Sequence, residues 1–331
     1  MIGRAVFLKG AGAAAAAATG GLDVWAGDAP TVRVVVGTDT RGETPQVLSD
    51  GTFTYGGKRW RGAPSVIPQA DGRTLLVTTL DVDDYLLGVV PLEAPPSWPA
   101  AALEAQAIVA RTFALGRRTL SRPYDLVATE ADQRWGGVEA ETAATTRAVR
   151  TTRGAVLSFM RAPAAVFYSA CCGGHTADIA AAWNGVAYPY LRGVADPYCT
   201  PAPDYRWERA APLERVLAAF GSRTGGSVSA VALTDPDPSG RPRTVVLSGS
   251  TTANVPVAEF RRALGSDVVR SPWLLGAHVD ATQAAPRLLI EGAGRGHGVG
   301  LCQWGARFFA SSGASAPAIL AYYFPGTQLS G

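Results

Sequence analysis

The segment from Trp98 to about Arg118 carries the longest helical pattern in the chain, with Pro99 in its first turn and Ser97 placed to cap it. Leu103, Ala107, Ala110 and Ala114 recur along one face and Phe113 widens that face. Side chains this small hold a helix only when neighbours cover it, so the segment predicts a long helix buried against other elements. The composition permits this. With 331 residues, 47% hydrophobic and only 17% charged, the chain can enclose one large core or two modest ones, and disorder is excluded.

Ahead of this helix, the β-branched run Thr31–Val36 reads as a strand, with shorter strands at Thr52–Tyr55 and Thr74–Thr79 and an Asp71-Gly72 turn between them. Asp81 is the expected cap of a helix over Val82–Val90 that ends at Pro91. The loop Pro91–Ser97 then leads into the long helix. After it come strands at Ala155–Phe159 and Ala165–Tyr168, a Cys-Cys-Gly-Gly-His turn and a short helix at Ile179–Trp183. A change of pattern between about Pro203 and Pro286 predicts an inserted lobe, with helices at Pro212–Phe220 and Val257–Leu264 and strands at Ser227–Leu233 and Thr244–Leu247. A strand at Arg287–Ile290, a glycine loop over Gly292–Gly300 and helices at Leu301–Ala310 and Pro317–Tyr323 close the chain. The fold class is α+β: a long buried helix packed on antiparallel strands with a substrate groove.

Residues 1–28 read as an export signal: Arg4 and Lys9 precede a weakly apolar Gly10–Gly21 run, too short for a membrane span, which needs about 20 apolar residues. Arg4-Ala-Val-Phe-Leu-Lys9 is similar to a twin-arginine signal with Ala5 where the second arginine belongs, so the twin-arginine and general secretory routes both stay open. The mature domain then runs from 29 to 331, in the periplasm or cell wall. Four cysteines, Cys171, Cys172, Cys199 and Cys302, fit an oxidising compartment. A bridge from Cys199 to Cys171 or Cys172 would close a loop of under 30 residues and stabilise by roughly 3 kcal/mol. A net charge of +3 without any Lys or Arg run argues against a nucleic-acid partner.

Glu93 is the carboxylate best placed for acid/base work. It lies in the otherwise apolar, proline-stiffened Val90–Trp98 segment, a setting that favours a carboxyl still protonated near neutral pH. Arg111 is the one cation in an apolar stretch of helix and needs a partner: Glu93, a sugar hydroxyl, or Glu104 seven residues back. The alternation Gly294-Arg-Gly-His-Gly-Val-Gly-Leu-Cys-Gln-Trp-Gly305 lets backbone approach a ligand and turns His297 and Gln303 inward. No Gly-Lys-Ser/Thr follows, so it is not a phosphate loop. Cys171, Cys172, His175 and Cys199 lack the paired C-x2-C spacing of structural zinc sites, and no metal or cofactor is expected. Ser169 or Cys302 as a nucleophile has no support from spacing.

Three ordered blocks carry a resemblance. Asp83–Phe113, with Pro-Leu-Glu93 and Ala-Arg111-Thr-Phe, comes first; then Tyr168-Ser-Ala-Cys-Cys-Gly-Gly-His-Thr176 through Trp183 and Pro189-Tyr-Leu191; then Gly296-His-Gly-Val-Gly-Leu-Cys-Gln-Trp-Gly-Ala306. Together they resemble the stage II sporulation protein D family, which includes an amidase enhancer. The resemblance implies a lytic transglycosylase acting on peptidoglycan glycan strands stripped of stem peptides by a cell-wall amidase. It makes Glu93 the catalytic acid/base and Arg111 its support, and it places Gln106, Ser169, His175, Thr176, His297 and Gln303 along the substrate. Some members hold zinc through a His and two Cys in the loop after the long helix; Tyr124–Gly136 here contains neither residue type. The alternative is a non-catalytic glycan-binding enhancer of an amidase. Asp83 and Asp84 keep open a two-carboxylate hydrolase that uses water.

Overall fold

The computed structural model of the protein describes residues 30–38, 43–183, 185–282 and 285–331. The expected export signal lies outside the described residues. The fold is α+β and divides into two compact units, one reaching to Phe167 and adding Ala310–Ala321 and Gly326–Gly331, the other comprising Tyr168–Phe309 and Tyr322–Pro325.

In the first unit, strands β1 (Thr31–Thr38), β5 (Ala63–Pro68) and β6 (Thr74–Asp81) form an antiparallel sheet in the order β5-β6-β1, with Thr31 opposite Asp81. The two-residue β7 (Leu126–Val127) adds to it in parallel beside β1. Between β1 and β5, β2 (Gln46–Val47), β3 (Thr52–Tyr55) and β4 (Lys58–Arg61) make a separate antiparallel sheet. Strand β6 runs straight into helix α1 (Val82–Glu93), where Asp81 accepts the Asp83 N–H as the expected cap.

Helix α1 does not stop before Pro91. It carries the proline within its last turn and ends at Glu93, where Ala94 turns extended (φ −137°, ψ 124°) and its N–H reaches the Val90 carbonyl at 2.9 Å. A proline near the end forfeits only one helical hydrogen bond, which explains how the turn survives. Helix α2 (Ala100–Gly116) starts later than expected, and its cap is Pro99 rather than Ser97. It is buried along most of its faces, as its small residues predicted. Val32, Val34 and Leu76 of the sheet and Tyr85, Leu86, Val89 and Val90 of α1 enclose Ala107, Ala110 and Ala114, each large apolar side chain contributing about 1.5–3 kcal/mol on burial. Helix α3 (Ala143–Thr151) and strands β8 (Val156–Phe159) and β9 (Ala162–Pro163) follow, with Gln328–Ser330 pairing on β8.

The second unit opens with β10 (Tyr168–Ser169) and α4 (Ile179–Trp183). Residues 203–286, expected as an inserted lobe, fall within this unit. They supply β11 (Arg206–Pro212), α5 (Leu213–Thr224), β12 (Ala230–Pro236), β13 (Pro242–Ser248), β14 (Thr252–Pro256), α6 (Val257–Leu264) and β15 (Leu274–Asp280). With β16 (Arg287–Ala293) these form two antiparallel sheets, β12-β13-β14 and β11-β16-β15, sharing one core of Phe220, Val245, Leu247, Phe260, Leu288 and Ile290. Strand β17 (Leu301–Cys302) lies parallel to β10 and feeds α7 (Gln303–Ser311); α8 (Ala316–Tyr323), most of which belongs to the first unit, ends the helices. Among the described residues, no helix is long and apolar enough to cross a membrane.

Candidate active site

The sequence-predicted residues fall in both units. Glu93, Gln106 and Arg111 belong to the first; Ser169, His175, Thr176, His297 and Gln303 belong to the second.

Glu93 is half-buried at the terminus of α1. Its neighbour Ala94 is sealed by Leu103 and Ala148, with Trp98 packed alongside. The Trp98 N–H returns to the Pro95 carbonyl at 3.0 Å, so the turn beyond Glu93 is closed by its own backbone. Beneath the helix, fully buried Tyr85 meets the edge of Trp135 at 5.5 Å, and Trp135 meets Trp60 at 5.0 Å. Burial, and then the charges of Asp132 and Glu93, push the Tyr85 hydroxyl well above its ordinary range. Gly88 makes this arrangement possible, because a Cβ there would meet Trp135 Nε1 at 2.5 Å and the Gly137 carbonyl at 2.7 Å. The side chain expected in a sealed apolar loop is therefore a helix-terminal carboxylate that retains solvent access.

Arg111 is only 1% exposed and has taken a partner other than the three anticipated ones. Its Nε donates to Asp83 Oδ1 at 2.7 Å, Nη1 to the Ala155 carbonyl at 3.0 Å and Nη2 to the Val149 carbonyl at 3.1 Å. Burial pulls the guanidinium down and Asp83 opposes that pull, but an arginine remains a cation throughout. It thereby ties the start of α1 to the last turn of α3, where a cation also complements the exposed carbonyls. Asp83 lies ten residues before Glu93, about 15 Å along a helix rising 1.5 Å per residue, so Arg111 reaches Glu93 through the helix and not by contact. Gln106, on α2, is 2% exposed.

Asp81, Asp83, Asp84, Leu87, Val149, Arg150 and Arg153 line a shallow charged cleft in this unit. Burial raises the Asp84 carboxyl, with Arg61 acting against it and Asp81, Glu141 and Asp83 adding to it. Asp83 is committed to Arg111 and is flanked by Arg153 at 3.7 Å.

In the second unit the glycine loop approaches the protein's own chain. Gly294 and Gly296 have φ of +79° and +98°, and a Cβ on either would collide with the Cys171–Gly173 backbone or with Ser169. Ser169 Oγ accepts the Gly298 N–H at 3.2 Å, and Arg295 and Cys171 exchange backbone hydrogen bonds at 2.8 and 3.1 Å. Thr176 Oγ1 accepts the Val194 N–H at 2.7 Å, while His175 Nδ1 lies 2.7 Å from the Thr176 carbonyl. His297 Nδ1 accepts the Val299 N–H at 3.0 Å, and its ring lies 5.1 Å from Trp183. Burial lowers the His297 pKa to about 4, against a hydrogen bond to the Tyr168 backbone, with Arg261 and Arg241 lowering it further. His297 is therefore a neutral imidazole at physiological pH, with the proton on Nε2. Gln303 begins α7 at 7% exposure.

The expected disulfide is not formed: Cys171, Cys172, Cys199 and Cys302 are all buried thiols. Cys172 Sγ stands 3.6 Å from Cys199 Sγ and 3.0 Å from Asp196 Oδ2.

A family model described as stage II sporulation protein matches residues 70–159, the interval that holds α1, α2, Glu93 and Arg111. An uncharacterized protein of Brachyspira hyodysenteriae is 34% identical over 283 residues, covering 84% of this chain and 74% of that protein. The stage II sporulation protein D of Bacillus subtilis is 26% identical over 292 residues, 83% of this chain and 82% of the relative. The amidase enhancer of the same organism is 28% identical over 295 residues, which span 74% of this chain but 40% of that longer protein.

Proposed function

We propose that this chain, which belongs to the stage II sporulation protein D family, is a lytic transglycosylase that cuts peptidoglycan glycan strands with Glu93 as its acid/base. The supporting observation is the placement of Glu93: a half-buried carboxylate at the closed end of α1, while the one buried cation of the helix pair is satisfied by Asp83. Such a reaction needs a single carboxyl, because the muramic acid C6 hydroxyl is the nucleophile. Protonated Glu93 gives its proton to the glycosidic oxygen; as carboxylate it takes the proton from that hydroxyl, leaving a 1,6-anhydro end. A water-using hydrolase would need a second carboxylate for the water. Asp83 is poorly suited to that task, since its charge is spent on Arg111.

On this reading Arg111 is a positioning residue that fixes α1, and Gln106, Ser169, His175, Thr176, His297 and Gln303 are the residues proposed to serve the glycan. Strands already stripped of peptide are the substrate of choice, and the enzyme works outside the cytoplasm, where that substrate lies. The similarity to an amidase enhancer favours one second reading, in which the protein binds glycan and stimulates a cell-wall amidase without cutting.

One experiment separates them. Peptide-free glycan strands are incubated with wild type and Glu93→Gln, and the products are analysed by mass spectrometry. The expected result is 1,6-anhydro ends from the wild type alone, with both proteins binding glycan equally. Reducing ends would mean hydrolysis. No cleavage by the wild type, together with tight binding and stimulation of an added amidase, would refute catalysis.

A further inference from the structure

Cys172, Asp196, Cys199 and Cys302 come from three separate segments of the second unit, yet their donor atoms all lie within 4.8 Å of one another, and all four residues are buried. Cys172 lies in the turn after β10, Asp196 and Cys199 bracket the Pro197–Cys199 turn, and Cys302 ends β17. We propose that these four side chains form a structural zinc site, three thiolates and one carboxylate oxygen, which clamps the turn after β10 and the Asp196–Cys199 turn to the base of the glycine loop.

Geometry carries the assignment. Four zinc ligands at the corners of a tetrahedron with Zn–S near 2.3 Å leave sulfurs about 3.8 Å apart. Cys172 and Cys199 already stand at 3.6 Å. Asp196 is oriented as a ligand that binds through one oxygen: Oδ1 accepts the Tyr198 and Cys199 N–H groups at 3.1 and 3.2 Å, which turns Oδ2 toward the sulfurs. Cys302 Sγ accepts the Cys172 and Gly305 N–H groups at 3.2 and 3.3 Å, the support a thiolate ligand receives from a second layer of donors. Gly305 leaves room for this, since a Cβ there would overlap the Asp196 carboxylate and the Tyr323 hydroxyl.

Charge points the same way. Asp196 is fully buried, and a carboxylate among three thiols is costly unless a cation faces it. Arg241, itself 4% exposed, spends its Nη2 hydrogen bonds on the Cys172 and His175 carbonyls at 2.9 and 2.6 Å, so it supports the shell of the cluster from outside. A soft, sulfur-rich, four-donor set of this kind suits zinc and excludes the oxygen-seeking cations. The site differs from one in the loop after the long helix, where Tyr124–Gly136 offers no His or Cys.

The test uses the full chain, purified with its thiols reduced, stripped with chelator and dialysed against zinc, with elemental analysis of the folded protein. One zinc per chain is expected. Replacement by cobalt should give the intense thiolate-to-cobalt absorption and the visible bands of a tetrahedral site, a readout on wild type that needs no variant. Cys171→Ser should keep its zinc, whereas Cys199→Ser and Cys302→Ser should weaken binding by about 100-fold or more. Uptake unchanged in both of those variants would move the metal elsewhere and overturn the assignment. So would a reduced, folded wild type that takes up no metal, or native protein whose peptide map shows a Cys172–Cys199 disulfide.

Discussion

Replacing Arg111 with methionine keeps the aliphatic stem and removes the guanidinium, so it tests what the buried cation does. In the folded protein the change breaks a charge-assisted bond to Asp83 and hydrogen bonds to the Val149 and Ala155 carbonyls. Orphaning one member of a buried ion pair costs about 3–5 kcal/mol. Asp83 keeps 18% side-chain exposure and has Arg153 at 3.7 Å, so it can rehydrate, and Val149 also accepts from Thr152. Both facts place Arg111→Met near the lower end, about 3 kcal/mol. Asp83→Asn leaves the 1%-exposed guanidinium without its counter-ion and should cost at least as much. The double variant should cost less than the sum, by about 2 kcal/mol, because the second change removes a group already stranded. Urea unfolding followed by near-ultraviolet circular dichroism measures each value. Cleavage by folded Arg111→Met should fall by no more than about tenfold, since the guanidinium lies roughly 15 Å along α1 from Glu93. A cost under about 1 kcal/mol, or additivity within about 0.5 kcal/mol, would refute the strut. A drop of several orders of magnitude in turnover at full folding would put Arg111 at the reacting atoms instead.

Three further outcomes are expected. His297 has its folded pKa lowered from 6.5 to about 4, so the folded state binds fewer protons than the unfolded chain in that window; stability is lost as pH falls from 6.5 toward 4, by up to about 3 kcal/mol, and changes no further below it. His297→Phe should flatten that part of a stability-against-pH curve, and an unaltered slope would assign it to other groups. Gly88→Ala should cost about 1–3 kcal/mol by forcing Trp135 off α1, read as a fall in unfolding midpoint and a changed tryptophan emission; a neutral result would mean that Trp135 moves without loss. Glu93→Gln, at a half-buried helix end, should shift the unfolding free energy by less than about 1 kcal/mol while abolishing cleavage, and a large stability loss would make its role structural.

How far the site was legible follows from helix geometry. The small-residue face of α2 predicted its burial correctly, and Asp81 was recognisable as a cap because a side-chain acceptor two residues before a helical N–H has few other uses. Asp83, the partner of Arg111, is none of the three groups that composition suggests for it, although the sequence holds the clue. Two helices joined by a short turn near Pro95–Ser97 run antiparallel, so residues equally spaced from that turn face each other. Asp83 and Arg111 are such a pair. Glu104, seven residues back on the same helix, is about 10 Å away along the axis, and Glu93 belongs opposite the start of α2. The extension of α1 through Pro91 was illegible for a different reason: proline forbids one hydrogen bond, and packing of the neighbouring Val89, Val90 and Ala94 decides whether the turn outlasts that loss.

The glycine loop and the cysteines resist sequence reading through a shared cause. Alternating glycines signal close approach but not what approaches, and here Gly294 and Gly296 pack on Cys171–Gly173 and Ser169 of the same unit. That contact follows from the parallel pairing of β10 with β17, which sets Ser169 opposite Cys302 across more than a hundred residues of chain. The same pairing brings Cys302 beside Cys172, while the Asp196 turn reaches the pair through the backbone bond from its N–H to Gly174 at 2.8 Å. Ligand spacing along a sequence detects a metal site only when a short loop supplies paired ligands. When a strand ladder supplies them, the spacing carries no signal, and a search for C-x2-C pairs discards the cluster. The glycines and the thiols thus constrain one another. A Cβ at Gly294 would press into the Cys171–Gly173 backbone that holds Cys172 in the cluster, so Gly294→Ala should weaken the zinc uptake proposed above without altering any of its ligands.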